Sequence, residues 1–143
     1  MGRLFYLLDN PSLRGYVPTM TRSRSLIGEN LQELLSQFPN STKNIECGAE
    51  CGDGWKGILA KAMPVLEATG ARVAQIKEKF GGLRLYWDPP EEEMPFWHRV
   101  AVNMAVAEAE SASFKTCEQC GAIGKKKNDN GWATMRCDAC PKR

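Results

Sequence analysis

The C-terminal part of the chain contains two C-x-x-C pairs, Cys117/Cys120 and Cys137/Cys140, which are separated by sixteen residues. This spacing is typical of sites in which four cysteines hold one zinc ion, because each pair forms a tight turn and the intervening residues suffice for a hairpin. Four sulfur ligands fill all the tetrahedral positions and leave none for water or substrate. The pattern therefore predicts a C-terminal zinc ribbon with one structural Zn²⁺.

Two other uses of the four thiols are a redox-active dithiol and a pair of disulfide bonds. A redox site typically has one C-x-x-C next to a strand–helix unit, whereas this chain has two such pairs. The apolar run Leu4–Leu8 ends at Asp9 and is too short for a signal-peptide core or a membrane span. We therefore expect a cytoplasmic protein with no membrane association, in which thiols stay reduced and the metal site is favoured.

The length and composition are those of a globular protein, with 143 residues, 43% hydrophobic and 25% charged. Apolar residues at helical spacing predict helices over Leu26–Phe38, from about Asp53 to Gly70, and from Glu91 to about Ser113. Asp53 is expected to cap the second of these helices, and Pro64 to kink or divide it. For the third helix we expect a buried stripe of five residues: Trp97, Val100, Ala101, Met104 and Ala105.

Between the second and third helices, Arg72–Phe80 and Leu83–Asp88 predict two strands of a hairpin with its turn at Gly81-Gly82. The expected fold is α+β, with helices packed on a small antiparallel hairpin sheet and a C-terminal zinc ribbon. Residues 1–113 would form the α+β body with an irregular N-terminal arm, and residues 114–143 the four-cysteine ribbon.

The positive charge of the chain is concentrated near its end. From Lys115 onward there are seven basic and three acidic residues, whereas the whole chain has a net charge of +2. The lysine run, Lys125 to Lys127, lies where we expect the ribbon loop to project. Three interpretations are open: a solvated turn, a contact to phosphate groups, or a contact to an acidic protein. Candidate nucleic-acid or partner contacts are Lys125, Lys126, Lys127, Trp132, Arg136, Arg22 and Arg24.

Cys47 and Cys51 could begin a second metal site together with His98 and an acid such as Asp53. The glycine-rich loop that contains them also carries Glu46 and Glu50. The site would need further ligands from distant sequence, and a buried free thiol is the simpler interpretation. His98 is the only histidine, so no HExxH or other multi-histidine metal site can form. We expect a protein that is not an enzyme, with a metal-dependent enzyme on the Cys47–Asp53 loop as one alternative.

Three segments, CGDGW, KEKFGGLR and the terminal CEQC and CDAC pairs, together resemble a group of small, largely uncharacterised bacteriophage and prophage proteins. The resemblance covers about residues 45–140. It implies a phage-encoded chain that acts inside a bacterium, and it brings no established activity with it. Residues 1–40 lie outside the resemblance and are candidates for a specific binding role.

The expected function is therefore non-enzymatic. A small phage-type zinc protein would dock on a bacterial host protein or nucleoprotein complex, such as a defence complex or polymerase, and inhibit or modulate it in the host cytoplasm. Direct binding of DNA or RNA through the basic ribbon loop is the alternative.

Overall fold

The computed structural model describes residues 30–45 and 48–140. The described helices are α1 (Leu31–Leu35), α2 (Lys56–Thr69) and α3 (Phe96–Ser113). The strands are β1 (Ala49–Glu50), β2 (Arg72–Lys79), β3 (Gly82–Asp88), β4 (Lys125–Asp129) and β5 (Trp132–Arg136). A 3₁₀ turn, Asp53–Trp55, leads into α2. This mixture of helices and small sheets confirms the predicted α+β class, and no helix in the described residues is both long and apolar enough to cross a bilayer.

The larger sheet has the order β1-β2-β3. Strands β2 and β3 form the predicted antiparallel hairpin, in which Arg72 is opposite Asp88 and Lys79 is opposite Gly82. The turn is at Phe80 and Gly81, one residue earlier than predicted, and both have left-handed φ angles of 56° and 83°. Such angles match the twist of a two-residue hairpin turn. The two-residue strand β1 adds a short parallel edge that the sequence did not predict, because two residues carry no alternation.

The core is built around α2, whose Leu59, Met63 and Leu66 are fully buried. Phe38 and Ile76 are also fully buried in the same cluster, and Met135 of β5 joins it from the ribbon. Pro64 does not divide α2, which continues to Thr69 with the proline inside it. Burial of the residues on both sides of the proline offsets the backbone hydrogen bond that proline lacks.

Helix α1 is shorter than the predicted Leu26–Phe38, of which the part before residue 30 lies outside the described residues. Asp53 was expected to cap α2 but serves α1 instead, since its Oδ1 accepts a hydrogen bond from the Leu31 N–H at 3.1 Å. Asn30 Oδ1 accepts from the Glu33 N–H at 2.8 Å and completes the capping of this helix. The short helix is thereby tied to the loop that precedes α2.

Helix α3 begins at Phe96 rather than at Glu91, because Met94 precedes a proline and is disfavoured from helical geometry. The predicted buried stripe is wrong, since Trp97 is 74% and Met104 62% exposed. The buried side of α3 instead consists of Val102, Ala109 and Ser113.

Two side chains of α3 determine which side of the helix faces the body. Ser113 Oγ accepts the Leu83 N–H at 2.9 Å, and Glu110 Oε2 accepts the Leu85 N–H at 3.0 Å. Both donors are backbone groups of β3, which is an edge strand of the sheet. The helix is therefore oriented by polar contacts to a strand that is distant in sequence, together with the packing of Val102 and Ala109 in the core.

Candidate metal centre

The four cysteines predicted as ligands come together at one point. All four sulfur atoms lie within 4.8 Å of one another, and the Sγ atoms of Cys120 and Cys137 are 3.6 Å apart. Four sulfur atoms bound tetrahedrally to one zinc ion at about 2.3 Å would be about 3.8 Å apart. The four sulfur atoms can therefore hold a metal ion once the longest distances between them shorten slightly.

Glycines shape the turn that carries the first cysteine pair. The Gly121 N–H donates to the Cys117 carbonyl at 2.9 Å, and Gly121 has a φ of 86° that favours glycine. The Cys117 N–H donates to the Ala122 carbonyl at 2.7 Å. A side chain at Gly124 would come within 2.8 Å of the Cys117 backbone nitrogen. The turn is thus closed by backbone contacts that leave both sulfur atoms aimed at the same side.

The local electrostatics lower the pKa of two of the four thiols. Burial opposes ionisation of Cys117, but hydrogen bonds from the backbone of Cys120, Cys137 and Gln119 outweigh it and lower the pKa of this thiol to about 6. Hydrogen bonding from Cys140 lowers the pKa of Cys137, whereas the pKa of Cys140 rises to about 12 because its thiol donates to Cys137. The protons are therefore shared unequally, and a cation that displaces them meets a site partly ionised already.

Strands β4 and β5 form the hairpin between the two cysteine pairs. Its turn is at Asn130 and Gly131, whose φ angles of 53° and 90° are those of the Asn-Gly hairpin turn. Lys125, Lys126 and Lys127 were predicted in a projecting loop, but they lie in strand β4. The prediction was wrong because Asn-Gly, five residues further on, is the stronger turn signal.

The structure separates the roles of the three lysines. Lys125 and Lys126 are exposed. Lys127 Nζ donates to the Cys137 carbonyl and to Asp138 Oδ1, each at 3.2 Å, so it fastens β4 to the second cysteine pair. This contact also lowers the pKa of Asp138.

Two large apolar side chains lie on the surface of the ribbon. Trp132 is 70% exposed and Ile123 is 86% exposed. A tryptophan with a purely structural role would be buried in the core, and Trp132 is not. Arg136 contacts the Gln119 side chain through Nη1. Arg22 and Arg24, the other predicted contacts, lie outside the described residues.

The first cysteine pair is bound directly to the loop that precedes α2. The Gly54 N–H donates to the Glu118 carbonyl at 2.6 Å, and the Gly52 N–H donates to Glu118 Oε2 at 2.9 Å. A side chain at Gly54 would lie 2.6 Å or less from three backbone atoms of Cys117 and Glu118. Sequence reasoning missed this role of the segment CGDGW, although two glycines flanking an acid beside a buried tryptophan are a signal of close backbone approach.

The proposed second metal site is only partly within the described residues, because Cys47 lies outside them. Cys51 is half-buried, and burial together with Glu118, Asp53 and Glu78 raises the pKa of its thiol to about 12. Asp53, an acid of the alternative enzyme site, is engaged as the cap of α1. His98 is exposed in the first turn of α3, as expected for a surface residue.

Comparison of the chain with protein-family models, curated proteins and solved structures finds no match. The resemblance to phage proteins accordingly stays a prediction, and the function is argued from the geometry of the ribbon.

Proposed function

We propose that this chain is a non-enzymatic, phage-type zinc protein that docks on a bacterial host protein or nucleoprotein complex in the cytoplasm and inhibits or modulates it. The observation that carries the proposal is the exposure of Ile123 and Trp132 on the ribbon. Both side chains lie on backbone that is held by the cysteine cluster and by contacts to the body. Large apolar side chains presented in this way are typical of protein-binding surfaces.

Zinc is the metal that best fits the four sulfur donors. Soft thiolate ligands in a tetrahedral set select zinc over calcium, magnesium and manganese. With all positions occupied by Cys117, Cys120, Cys137 and Cys140, the ion supplies rigidity and no catalytic position. A rigid surface loses little conformational entropy when it binds, so the metal supports affinity without contacting the partner.

The charges of the ribbon indicate the kind of surface that would receive it. Lys125 and Lys126 are exposed on the strand that pairs with the strand of Trp132. Trp132 is opposite Asp129 at the turn end of the hairpin, whereas Ile123 precedes the other end. A host surface with two separate apolar pockets and acidic residues between them would complement this arrangement.

A binding experiment with matched variants tests the proposal. The zinc-loaded protein is used as bait in a bacterial lysate, and each retained protein is purified and titrated by calorimetry. We expect stoichiometric binding that is lost in the double variant Ile123→Ser/Trp132→Ala and kept in Phe96→Ala, which alters an exposed aromatic residue at the far end of α3. Equal binding by the double variant would contradict the proposal.

Nucleic-acid binding is the second candidate, and it is favoured by one observation. Trp132 is exposed on the same hairpin as Lys125 and Lys126, and a stacking aromatic residue with neighbouring cations is typical of single-strand binding. Titrations with duplex DNA, single-stranded DNA and RNA at low and physiological salt test it. Binding that weakens with salt and is lost in Lys125→Ala/Lys126→Ala would support it. Lys127 is left intact because its contacts are structural.

A further inference from the structure

Helix α3 has an apolar face that the described residues leave uncovered. Its residues recur at alternating intervals of three and four along the helix: Trp97, Val100, Met104, Ala107 and Ser111. Val100 is half-buried and the other four are exposed, while the opposite side of α3 packs on the body. Alternating spacing of three and four is the pattern by which one helix packs along another. We call these five residues the outer face of α3.

The outer face is complementary to itself in size when two copies run antiparallel. Trp97 and Met104 are large and lie toward the N-terminal half, whereas Ala107 and Ser111 are small and lie toward the C-terminal half. In an antiparallel pair centred between Met104 and Ala107, each Met104 meets Ala107 of the second copy and each Val100 meets Ser111. At these central positions a larger residue lies above a smaller one, as close packing requires. At the two ends, Trp97 lies opposite the exposed Phe114 of the second copy.

The charges at the two ends of α3 are complementary in the same arrangement. Glu91, Glu92 and Glu93 are exposed immediately before the helix, and Lys115 is exposed immediately after it. Glu91 also lies 3.8 Å from Arg72 of the same chain, which leaves Glu92 and Glu93 as the better candidates for an intermolecular contact. Antiparallel pairing brings Lys115 of each copy to the acidic end of the other, whereas parallel pairing would bring the acidic ends together.

We propose that the outer face of α3 pairs with the same face of a second copy and forms a symmetric antiparallel dimer. An isologous interface of this kind uses one patch twice, so complementarity within a single helix suffices to form it. The ribbon residues Ile123 and Trp132 do not belong to this face, so a dimer presents two ribbons to a partner. This inference is independent of the proposed function.

Sedimentation of the full-length zinc-loaded protein over a range of concentrations tests the dimer. We expect the wild type to reach twice the mass of one chain, and Met104→Glu to raise the dissociation constant at least about tenfold, because it places two charges at the centre of the interface. The control Ile123→Glu changes another exposed apolar residue, on the ribbon, and should leave the dissociation constant unchanged. Circular dichroism and zinc content confirm that each variant is folded.

A charge exchange tests the antiparallel orientation. Glu93→Lys and Lys115→Glu should each weaken the dimer, and the double variant should recover most of the lost affinity. Absence of recovery would overturn the antiparallel arrangement. A wild type that stays monomeric up to about 100 μM, or a Met104→Glu variant that dimerises as the wild type does, would overturn the proposal itself.

Discussion

The indole N–H of Trp55 donates a 2.9 Å hydrogen bond to the backbone carbonyl of Thr116, the residue before the first cysteine of the four-cysteine cluster. Trp55 is fully buried at the start of α2, so this contact joins the centre of the core to the ribbon. Met135 adds a second junction, because it is buried in the same cluster from β5. Folding of the core and folding of the ribbon are therefore expected to depend on each other.

Replacement Trp55→Phe should reduce the free energy of unfolding by about 2 kcal/mol, because it leaves the Thr116 carbonyl without its donor and removes buried volume. Urea denaturation provides the measurement. The matched variant Trp132→Phe, on the exposed indole, should stay within about 0.5 kcal/mol of the wild type. Similar losses in both variants would show that the Trp55 contact contributes nothing of its own.

Two glycine substitutions should have effects of opposite sign. Gly54→Ala should destabilise the protein by at least about 3 kcal/mol, because the new methyl group collides with backbone atoms of Cys117 and Glu118 that have no room to move. Gly57→Ala, in the first turn of α2 with open space around it, should instead stabilise by about 0.5–1 kcal/mol. Thermal unfolding of both variants provides the comparison, and a Gly54→Ala protein as stable as the wild type would disprove the close approach.

Removal of the metal should destabilise more than the ribbon. Chelation, or the substitution Cys117→Ser, should release zinc and also lower the melting temperature of the helices, because Trp55 and Met135 connect the two parts. Metal analysis would follow the release of zinc, and circular dichroism at 222 nm, where helices give a strong negative signal, would follow the unfolding of the helices. The expected result is a single transition, and a helical transition that stays at the wild-type temperature would separate the two parts.

The half-buried thiol of Cys51 should make the stability of the protein depend on pH at the alkaline end. Its pKa is raised from about 9.0 to about 12 by burial and by neighbouring carboxylates, so the folded protein holds this proton more tightly than the unfolded chain does. The resulting stabilisation is complete below pH 9 and is lost progressively as the pH rises toward 12.

The difference in unfolding free energy between the wild type and Cys51→Ala isolates this effect from the other thiols. It should be constant below pH 9 and should change in favour of Cys51→Ala above it. Iodoacetamide should also modify Cys51 slowly at pH 8 in the zinc-loaded protein. If the difference in unfolding free energy stayed constant up to pH 12, the raised pKa of Cys51 would be contradicted.

Features that depend on local spacing were accessible from the sequence. The two cysteine pairs come together as their spacing predicts, and the hairpin of β2 and β3 follows from two apolar segments around a glycine turn. Both depend on residues that are near one another along the chain. In such cases the spacing of residue types along the chain largely determines which residues meet in the fold.

Features that depend on distant partners were not accessible. The rotation of α3 is set by Ser113 and Glu110, which accept hydrogen bonds from β3 across 30 and 25 residues. Asp53 caps a helix 22 residues earlier in the chain and not the one that follows it. Nothing in the local pattern distinguishes these partners, and Trp97 and Met104 of the predicted stripe consequently lie on the outside.

The contacts of Ser113 and Glu110 also limit how another protein can recognise this one. Peptides are often captured by adding a strand to a free sheet edge, and unprotected edges promote aggregation. On β3 the amides of Leu83 and Leu85 are already engaged by α3, so an incoming strand would have to displace the helix. At the opposite edge, β1 offers only two residues. The larger sheet is therefore closed to extension at Leu83 and Leu85, and a partner that approaches this edge has to recognise side chains instead.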